Sequence, residues 1–339
     1  METRARFVVS FLAALCLFIL PAGASAGTKK VEILATRHKA APPGETSRRS
    51  VPGGKRMLQA TKTPPSAQSA AVIGDLPWRR ISAKSVVVMD AATGELLYAR
   101  APDDPRQPAS TIKVLTAMLA LQKLGKNDTV PVSARAAGMP RSKIYLRNGK
   151  KYSADDLIHA ILLSSANDAS VAVAEKIAGS EAAFARLMTD KARALGASNT
   201  VCKTASGLTA EGQRTTARDL AIMFQQLMAD NRFANILQQR KVTTRNGQTL
   251  WSHNRALWQI QGNVGGKTGY TDAARQTYVG KFKRDDGELV IALMGSERMW
   301  EDVRNLSTYG FSKMRRVAQE KKKQITADSG AEELRVSNL

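Results

Sequence analysis

The sequence predicts an α+β fold: a central antiparallel sheet flanked by helices, with a helical block inserted into its middle. Three observations carry this reading. A strand–turn–strand pattern opens the ordered part between Ser85 and Arg100. Helices with cap signals fill residues 153 to 229, and a hairpin followed by a helix closes the domain between Gln276 and Arg316. Strands, then helices, then strands again lack the β-α-β-α alternation of a parallel sheet, so both ends of the chain must build one antiparallel sheet.

The chain has 339 residues and 43% apolar content, enough for one large domain or two small ones with real cores. Its formal net charge of +22 points to an anionic partner. Met1 to Arg6 is basic, Phe7 to Leu20 is apolar, and Ala24-Ser25-Ala26 is a small-residue cleavage site. Together they read as a secretory signal peptide over 1–26, cleaved after Ala26, so the protein is expected outside the cytoplasm, in a periplasm or its equivalent. An uncleaved anchor is the alternative. Export argues against nucleic acid as the partner.

Residues 27–80 carry 11 Lys/Arg against 3 Asp/Glu among Pro, Gly, Ser, Ala and Thr. Such a segment cannot bury enough apolar surface to offset its ordering entropy. It reads as a basic tether, holding the domain near an anionic envelope by weak, salt-sensitive attraction, or as a bare linker. Of the two cysteines, Cys16 lies in the signal core, after the bulky Leu15, which argues against lipoprotein attachment. Cys202 is left without a disulfide partner in the mature chain and is expected as a small buried hydrophobe.

The catalytic domain is expected over 81–316. Ser85 to Asp90 is a strand pattern, and Glu95 to Arg100 returns as a second strand after the Thr93-Gly94 turn. A proline-punctuated loop then enters an apolar helix at Ser110 that ends near Gly125. A short strand is expected at Lys143 to Leu146, before an Asn148-Gly149 turn. Ser153 reads as the cap of a helix to Leu163, with Asp155 and Asp156 where the helix dipole favours them. Further helices are expected over Ala169 to Ala178, from Ser180 to Leu195, and over Thr216 to Ala229. A short strand at Lys241, a glycine-rich strand over Gly262 to Gly269 and the Gln276–Gly295 hairpin follow. The last helix runs from about Glu301 to Arg316, and 317–339 is expected as a polar, frayed tail.

Three short elements carry chemistry: Ser110-x-x-Lys113 at a helix entrance, Ser165-x-Asn167 between helices, and Lys267-Thr268-Gly269 on a glycine-flanked strand. Residues i and i+3 share a helix face, so Ser110 and Lys113 can touch. A serine hydroxyl needs a base, and a lysine held neutral by burial or by a second cation can be one. Lys267 can supply that second cation, and the pair then titrates as a unit. A Ser-His-Asp triad could use only His159 or His253, since His38 lies in the tether, and neither has a recognisable partner pattern. Ser165 can relay a proton to a leaving amine, and Asn167 can hold a substrate amide. Lys267, Thr268 and Thr271 can bind a carboxylate. The plan calls for no metal and no organic cofactor.

This set, in this order, recurs in serine β-lactamases and penicillin-binding proteins. The chain from about Ser82 to Phe311 resembles the low-molecular-mass penicillin-binding proteins, the serine D-alanyl-D-alanine carboxypeptidases. Also matching are Asp90-x-x-Thr93-Gly94, Pro108-Ala109-Ser110, Asp156-Leu157, Asn167-Asp168-Ala169, Ser206-Gly207-Leu208, Gly266 to Thr271 and Tyr309-Gly310-Phe311. The resemblance implies the β-lactamase/transpeptidase-like fold with its all-helical subdomain. It implies peptidoglycan stem peptides ending in D-Ala-D-Ala as substrate, and β-lactams as inhibitors. It puts the oxyanion donors on the Ser110 and Tyr270 N–H groups. It also makes Arg298 the candidate for a carboxylate-binding arginine after the last strand, with a local spacing one residue longer than usual. The family's second, all-β domain and amphipathic membrane helix have no counterpart after Phe311, so a C-terminal membrane attachment is not expected.

Three other functions stay open on the sequence. A D,D-endopeptidase cutting cross-links shares the motifs. A β-lactamase of class A needs a Glu-x-x-Leu-Asn run, and the corresponding stretch is Val201 to Gly207. A non-catalytic wall-binding protein would be favoured by loss of Ser110 or a lysine, and all are present.

Overall fold

The computed structural model describes residues 81–336; the signal-peptide and tether assignments over 1–80 lie outside the described residues. Strands β1 (Ser85–Asp90) and β2 (Leu96–Arg100) form the first hairpin. The Asp90 carboxylate accepts from the Ala92 and Thr93 N–H groups at 2.8 and 3.1 Å, which folds the turn locally. A 3₁₀ turn over Ala109–Ile112 leads into α1 (Lys113–Lys123), whose first nine residues are all buried.

A short ladder of β3 (Thr129–Pro131) and β4 (Lys151–Ser153) brackets the small helix α2 (Ala134–Ala137). The helical block follows: α3 (Ala154–Leu162), α4 (Asn167–Ala178), α5 (Glu181–Ala194), α6 (Ala217–Leu227) and α7 (Asn231–Leu237). Ser180, Thr216 and Asp230 each accept an N–H of the first turn of the helix they precede, which is why α5, α6 and α7 begin where they do. Gly179, at φ 74°, ends α4. The hairpin β5 (Lys241–Thr243) and β6 (Thr249–Trp251) and the turn α8 (Ala256–Gln259) lead to β7 (Asn263–Thr271), β8 (Arg275–Arg284), β9 (Gly287–Ser296) and α9 (Met299–Val336).

The main sheet is antiparallel in the order β2-β1-β9-β8-β7, so the first strand of the domain pairs with the last. Asp302, fully buried on α9, accepts from the Ser82 and Ala83 N–H groups and from the Ser82 and Ser296 hydroxyls, fastening the two ends of the domain together. Both sheet faces are covered. Along β1, Val87 and Met89 face the helical block while Val86 and Val88 face α8 and α9. Full burial of a side chain such as Phe311 or Leu293 contributes about 1.5–3 kcal/mol. Strands covered on both sides read as unbroken apolar runs, as Val86-Val87-Val88-Met89 does.

Two expectations are corrected. Lys143 to Leu146 is not a strand. Ile144 and Leu146 point inward and Tyr145 and Arg147 outward, as in a strand, yet the Ile144 and Leu146 N–H groups donate to the Asp168 carboxylate instead of to a neighbouring strand. The chain after Arg316 is helical as well: α9 continues to Val336. Its packing on the sheet ends with Phe311 and Met314, but 317–325 is Val-Ala-Gln-Glu-Lys-Lys-Lys-Gln-Ile, whose members are mostly strong helix formers without proline. Polarity had been read there as lack of structure.

Candidate active site

The three motifs converge beside the edge strand β7, around a cavity of about 460 Å³. Ser110, Ser165, Asn167, Thr268, Gly269, Tyr270 and Thr271 all line it. Ser110 sits on the 3₁₀ turn, after Ala109 in the left-handed region at φ 49°, so the nucleophile candidate is presented by a strained turn. Ser165 is itself left-handed, at φ 58°. Strain of this kind costs on the order of 1–3 kcal/mol per residue and persists only where its surroundings impose it.

Two glycines let the elements meet. A methyl group at Gly207 would overlap the Ala109 carbonyl, so the 206–208 loop can close under the turn only as glycine. A methyl group at Gly269 would lie 2.7 Å from the Ser110 nitrogen and 2.5 Å from Thr277 Oγ1. Gly269 therefore serves by what it lacks, allowing β7 to run directly against the Ser110 backbone.

Lys113 is wholly buried. Its Nζ lies 2.8 Å from Ser110 Oγ and 2.8 Å from Asn167 Oδ1, and it donates to the Ser206 carbonyl. Burial holds its pKa well below the usual lysine range, and the Lys267 charge lowers it further against the opposing pull of Asp168 and Glu181. Lys267 is buried too and is pushed down to about 7 by desolvation. It reaches Ser165 Oγ at 2.9 Å and the Thr268 carbonyl at 2.9 Å.

Asn167 differs from the expectation that it holds substrate. Its amide oxygen faces Lys113, and both amide hydrogens are engaged by the Pro140 and Arg141 carbonyls, each at 3.0 Å. It orients the lysine. His253 lines the cavity, and burial together with Lys267 and Lys113 pushes its imidazole down to about 4, so it is neutral near pH 7. Its ring makes no hydrogen bond to Ser110; His159 on α3 turns instead to the Asp155 carbonyl. Lysine, not histidine, is the base within reach of Ser110.

The sequence profile of the peptidase S11 (D-alanyl-D-alanine carboxypeptidase) family matches residues 69–298. The chain belongs to the D-alanyl-D-alanine carboxypeptidase family. It is 35% identical over 250 residues to the D-alanyl-D-alanine carboxypeptidase DacB2 of Mycobacterium tuberculosis, a match covering 70% of this chain and 86% of that protein. Against DacA of Escherichia coli, also 35% identical, it covers 68% of this chain and 61% of that protein. The fold is shared with penicillin-binding protein D2 of Listeria monocytogenes, solved with cefotaxime bound, at a TM-score of 0.63 and 29% identity over 68% of this chain and 98% of that one. Membership of the D-alanyl-D-alanine carboxypeptidase family makes the chain a serine-type carboxypeptidase and a low-molecular-mass penicillin-binding protein. The match begins at residue 69, inside the stretch assigned to the tether.

Arg298 is corrected. It does not line the cavity. The clamp at Ser82 holds its backbone N–H, and its guanidinium turns to Glu301, one helical turn on, at 3.3 Å. The arginines at the cavity are Arg141, on the helical side, and Arg255, whose guanidinium lies 5.9 Å from the Trp300 ring. The sequence gives no role to Asp168 or Glu181. Asp168 holds the 144–146 segment, and Glu181 accepts from the Ala205 N–H and pairs with Arg135. A buried carboxylate inside a helical pattern was the available signal. Cys202 is buried as expected, its thiol pushed up to about 12.

Proposed function

We propose that this carboxypeptidase removes the terminal D-Ala from D-Ala-D-Ala stem peptides of peptidoglycan through an acyl-enzyme at Ser110. One observation carries the assignment: buried Lys113 lies 2.8 Å from Ser110 Oγ and has two other partners that can only accept. A neutral amine has two hydrogens and one lone pair. Its hydrogens go to the Asn167 oxygen and the Ser206 carbonyl, which leaves the lone pair for the Ser110 proton.

Ser110 attacks the carbonyl of the penultimate D-Ala as Lys113 takes its proton. The N–H groups of Ser110 and Tyr270, brought together by the Gly269 contact, stabilise the oxyanion. Ser165, which accepts from Lys267, passes a proton to the departing amine and is refilled from the lysine pair, so the proton taken from Ser110 is spent and Lys113 is neutral again before deacylation. The C–N bond breaks, D-Ala leaves and the ester remains. Water then attacks the ester, gives its proton to Lys113, and Ser110 is released with its hydroxyl restored. Lys267, Thr268 and Thr271 take the terminal carboxylate, and a β-lactam reaches the same ester in place of the peptide. Export after cleavage at Ala26 and weak attraction of the 27–80 segment to an anionic envelope belong to the same proposal.

Ser110→Ala should lose both D-Ala release and covalent labelling by a fluorescent penicillin, with its far-UV spectrum unchanged. Labelling that survives the substitution refutes the assignment. Wild type acting on a muropeptide mixture should release free D-Ala; loss of cross-linked dimers without it would make the enzyme an endopeptidase.

A further inference from the structure

The helical side carries a second cavity, of about 430 Å³, that the reaction does not use. Its walls come from three segments: Ile144, Tyr145 and Arg147, then Lys150 with Lys151 and Tyr152 of β4, then Asn246 and Gln248 from the β5–β6 turn. Between positions 141 and 153 the chain has five basic residues and no acidic one. Arg147, Lys150 and Lys151 are exposed, and among the described residues none of them faces a carboxylate within ion-pair distance. Tyr145 is 59% exposed, with the Lys143 amine 5.5 Å from its ring centroid. The adjoining hollow does contain a carboxylate, Asp156, which accepts from the Arg245 N–H.

The segment linking the two cavities is pinned by hydrogen bonds. Arg141 and Ser142 line the catalytic cavity, and Ile144 to Arg147 line the second one. Between them the buried Asp168 carboxylate accepts from the Ile144 and Leu146 N–H groups, next in sequence to Asn167. Tyr152 Oη accepts from the Arg147 N–H at 3.1 Å, and Gln248 donates to the Ile144 carbonyl. At most about 21 Å of chain separates residues 141 and 147, a span that about seven extended residues cover. A polymer whose stem terminus lies at Ser110 can therefore reach the second cavity with a neighbouring part of itself.

We infer that this basic cavity is an exosite for the free carboxylates of peptidoglycan adjoining the stem peptide under attack. The inference rests on the carboxypeptidase reading of the site. The chemistry matches: unpaired cations take carboxylates, the exposed Tyr145 ring takes a sugar or peptide face, and Asn246 and Gln248 supply amide groups. A concave, loop-built site suits a discrete carboxylate-bearing group, where a bilayer would need a broad, flat surface. The effect is selective: polymeric substrate is held at two points, while a short soluble peptide touches only the cleft.

The test uses the full mature chain and the variants Lys150→Glu and Arg147→Glu, alone and combined, with Tyr145→Ala as a neutral companion. D-Ala release from insoluble sacculi at low salt should fall about fivefold or more in the double variant, because rim charges act on encounter and salt dependence. Turnover of a short D-Ala-D-Ala tripeptide and labelling by penicillin should remain at wild-type rates. Sacculi with amidated carboxylates should erase the difference between wild type and variant. Equal loss on sacculi and tripeptide would overturn the exosite, as would unchanged release from sacculi. Loss of binding to phosphatidylglycerol vesicles with sacculus turnover intact would overturn it in favour of a membrane contact. A wild-type chain that penicillin does not label would instead remove the carboxypeptidase reading itself.

Discussion

Lys113 and Lys267 are buried cations placed without a direct carboxylate partner, and each is held by hydroxyl, amide or carbonyl oxygens. A full charge on both would be costly, so one proton is shared by a coupled pair. The acylation rate should rise from mildly acidic to mildly alkaline pH as the pair loses its proton, and then level off or fall as Lys267 no longer attracts the substrate carboxylate. A flat profile would remove lysine as the base. Stability follows in the same direction. The folded chain releases the Lys267 proton at about 7, while an unfolded lysine keeps it to its ordinary value of 10.5. Between these values the unfolded state binds more protons, so the unfolding free energy rises with pH. Urea midpoints measured across this window should climb in wild type and climb less in Lys267→Met; parallel curves would mean the buried lysine is not the source. At this scale the sequence named the residues that meet at the cavity. It could not show that Asn167 turns its amide to Lys113 and away from substrate, because that orientation depends on the Pro140 and Arg141 carbonyls, 27 and 26 residues away.

Elements matter through how closely they approach. β7 passes so near the Ser110 turn that no side chain fits at Gly269. Gly269→Ala should push the strand away from the nucleophile and widen the gap between the Ser110 and Tyr270 N–H groups. Acylation by a labelled penicillin should slow about 100-fold, the usual cost of misplacing reacting groups by about 1 Å. The denaturation midpoint should move only by the equivalent of about 1–2 kcal/mol. Normal acylation kinetics in this variant would show that the contact is not needed. Helices with side-chain caps were legible beforehand, since Ser180 and Thr216 act within one turn. The 143–146 segment was misread because its alternating burial is genuine but its hydrogen-bond partner is a carboxylate from α4, and periodicity does not report the partner. The far end of α9 differs for another reason: 317–325 is mostly exposed, and a helix exposed on most of its faces shows no apolar stripe.

The whole molecule combines a carboxypeptidase domain with a basic N-terminal segment. Nine of that segment's eleven cations precede residue 69, where the family match begins. A chain starting at Ser69 should turn over a short D-Ala-D-Ala peptide as fast as one starting at Gly27. It should bind anionic sacculi less well at low salt, and the difference should vanish near physiological salt, where the Debye length is about 8 Å. Equal binding at every salt concentration would reduce the segment to a spacer and leave attraction to the basic surface of the domain.

By itself the sequence determined the order of the main strands and helices, the three motifs that meet at the cavity and the family, because each is written in short-range patterns of a few residues. The tertiary structure decided what those patterns do together. It set Lys113 against Asn167 and Ser206, 54 and 93 residues apart, and Lys267 against Ser165, 102 residues apart. It turned Arg298 away from the cleft, just ahead of α9, to pair with Glu301, and it placed Arg141 and Arg255 there. Burial, and with it the depressed lysine pKa values, arises only when distant segments exclude water from one place, and no local stretch of sequence carries that information.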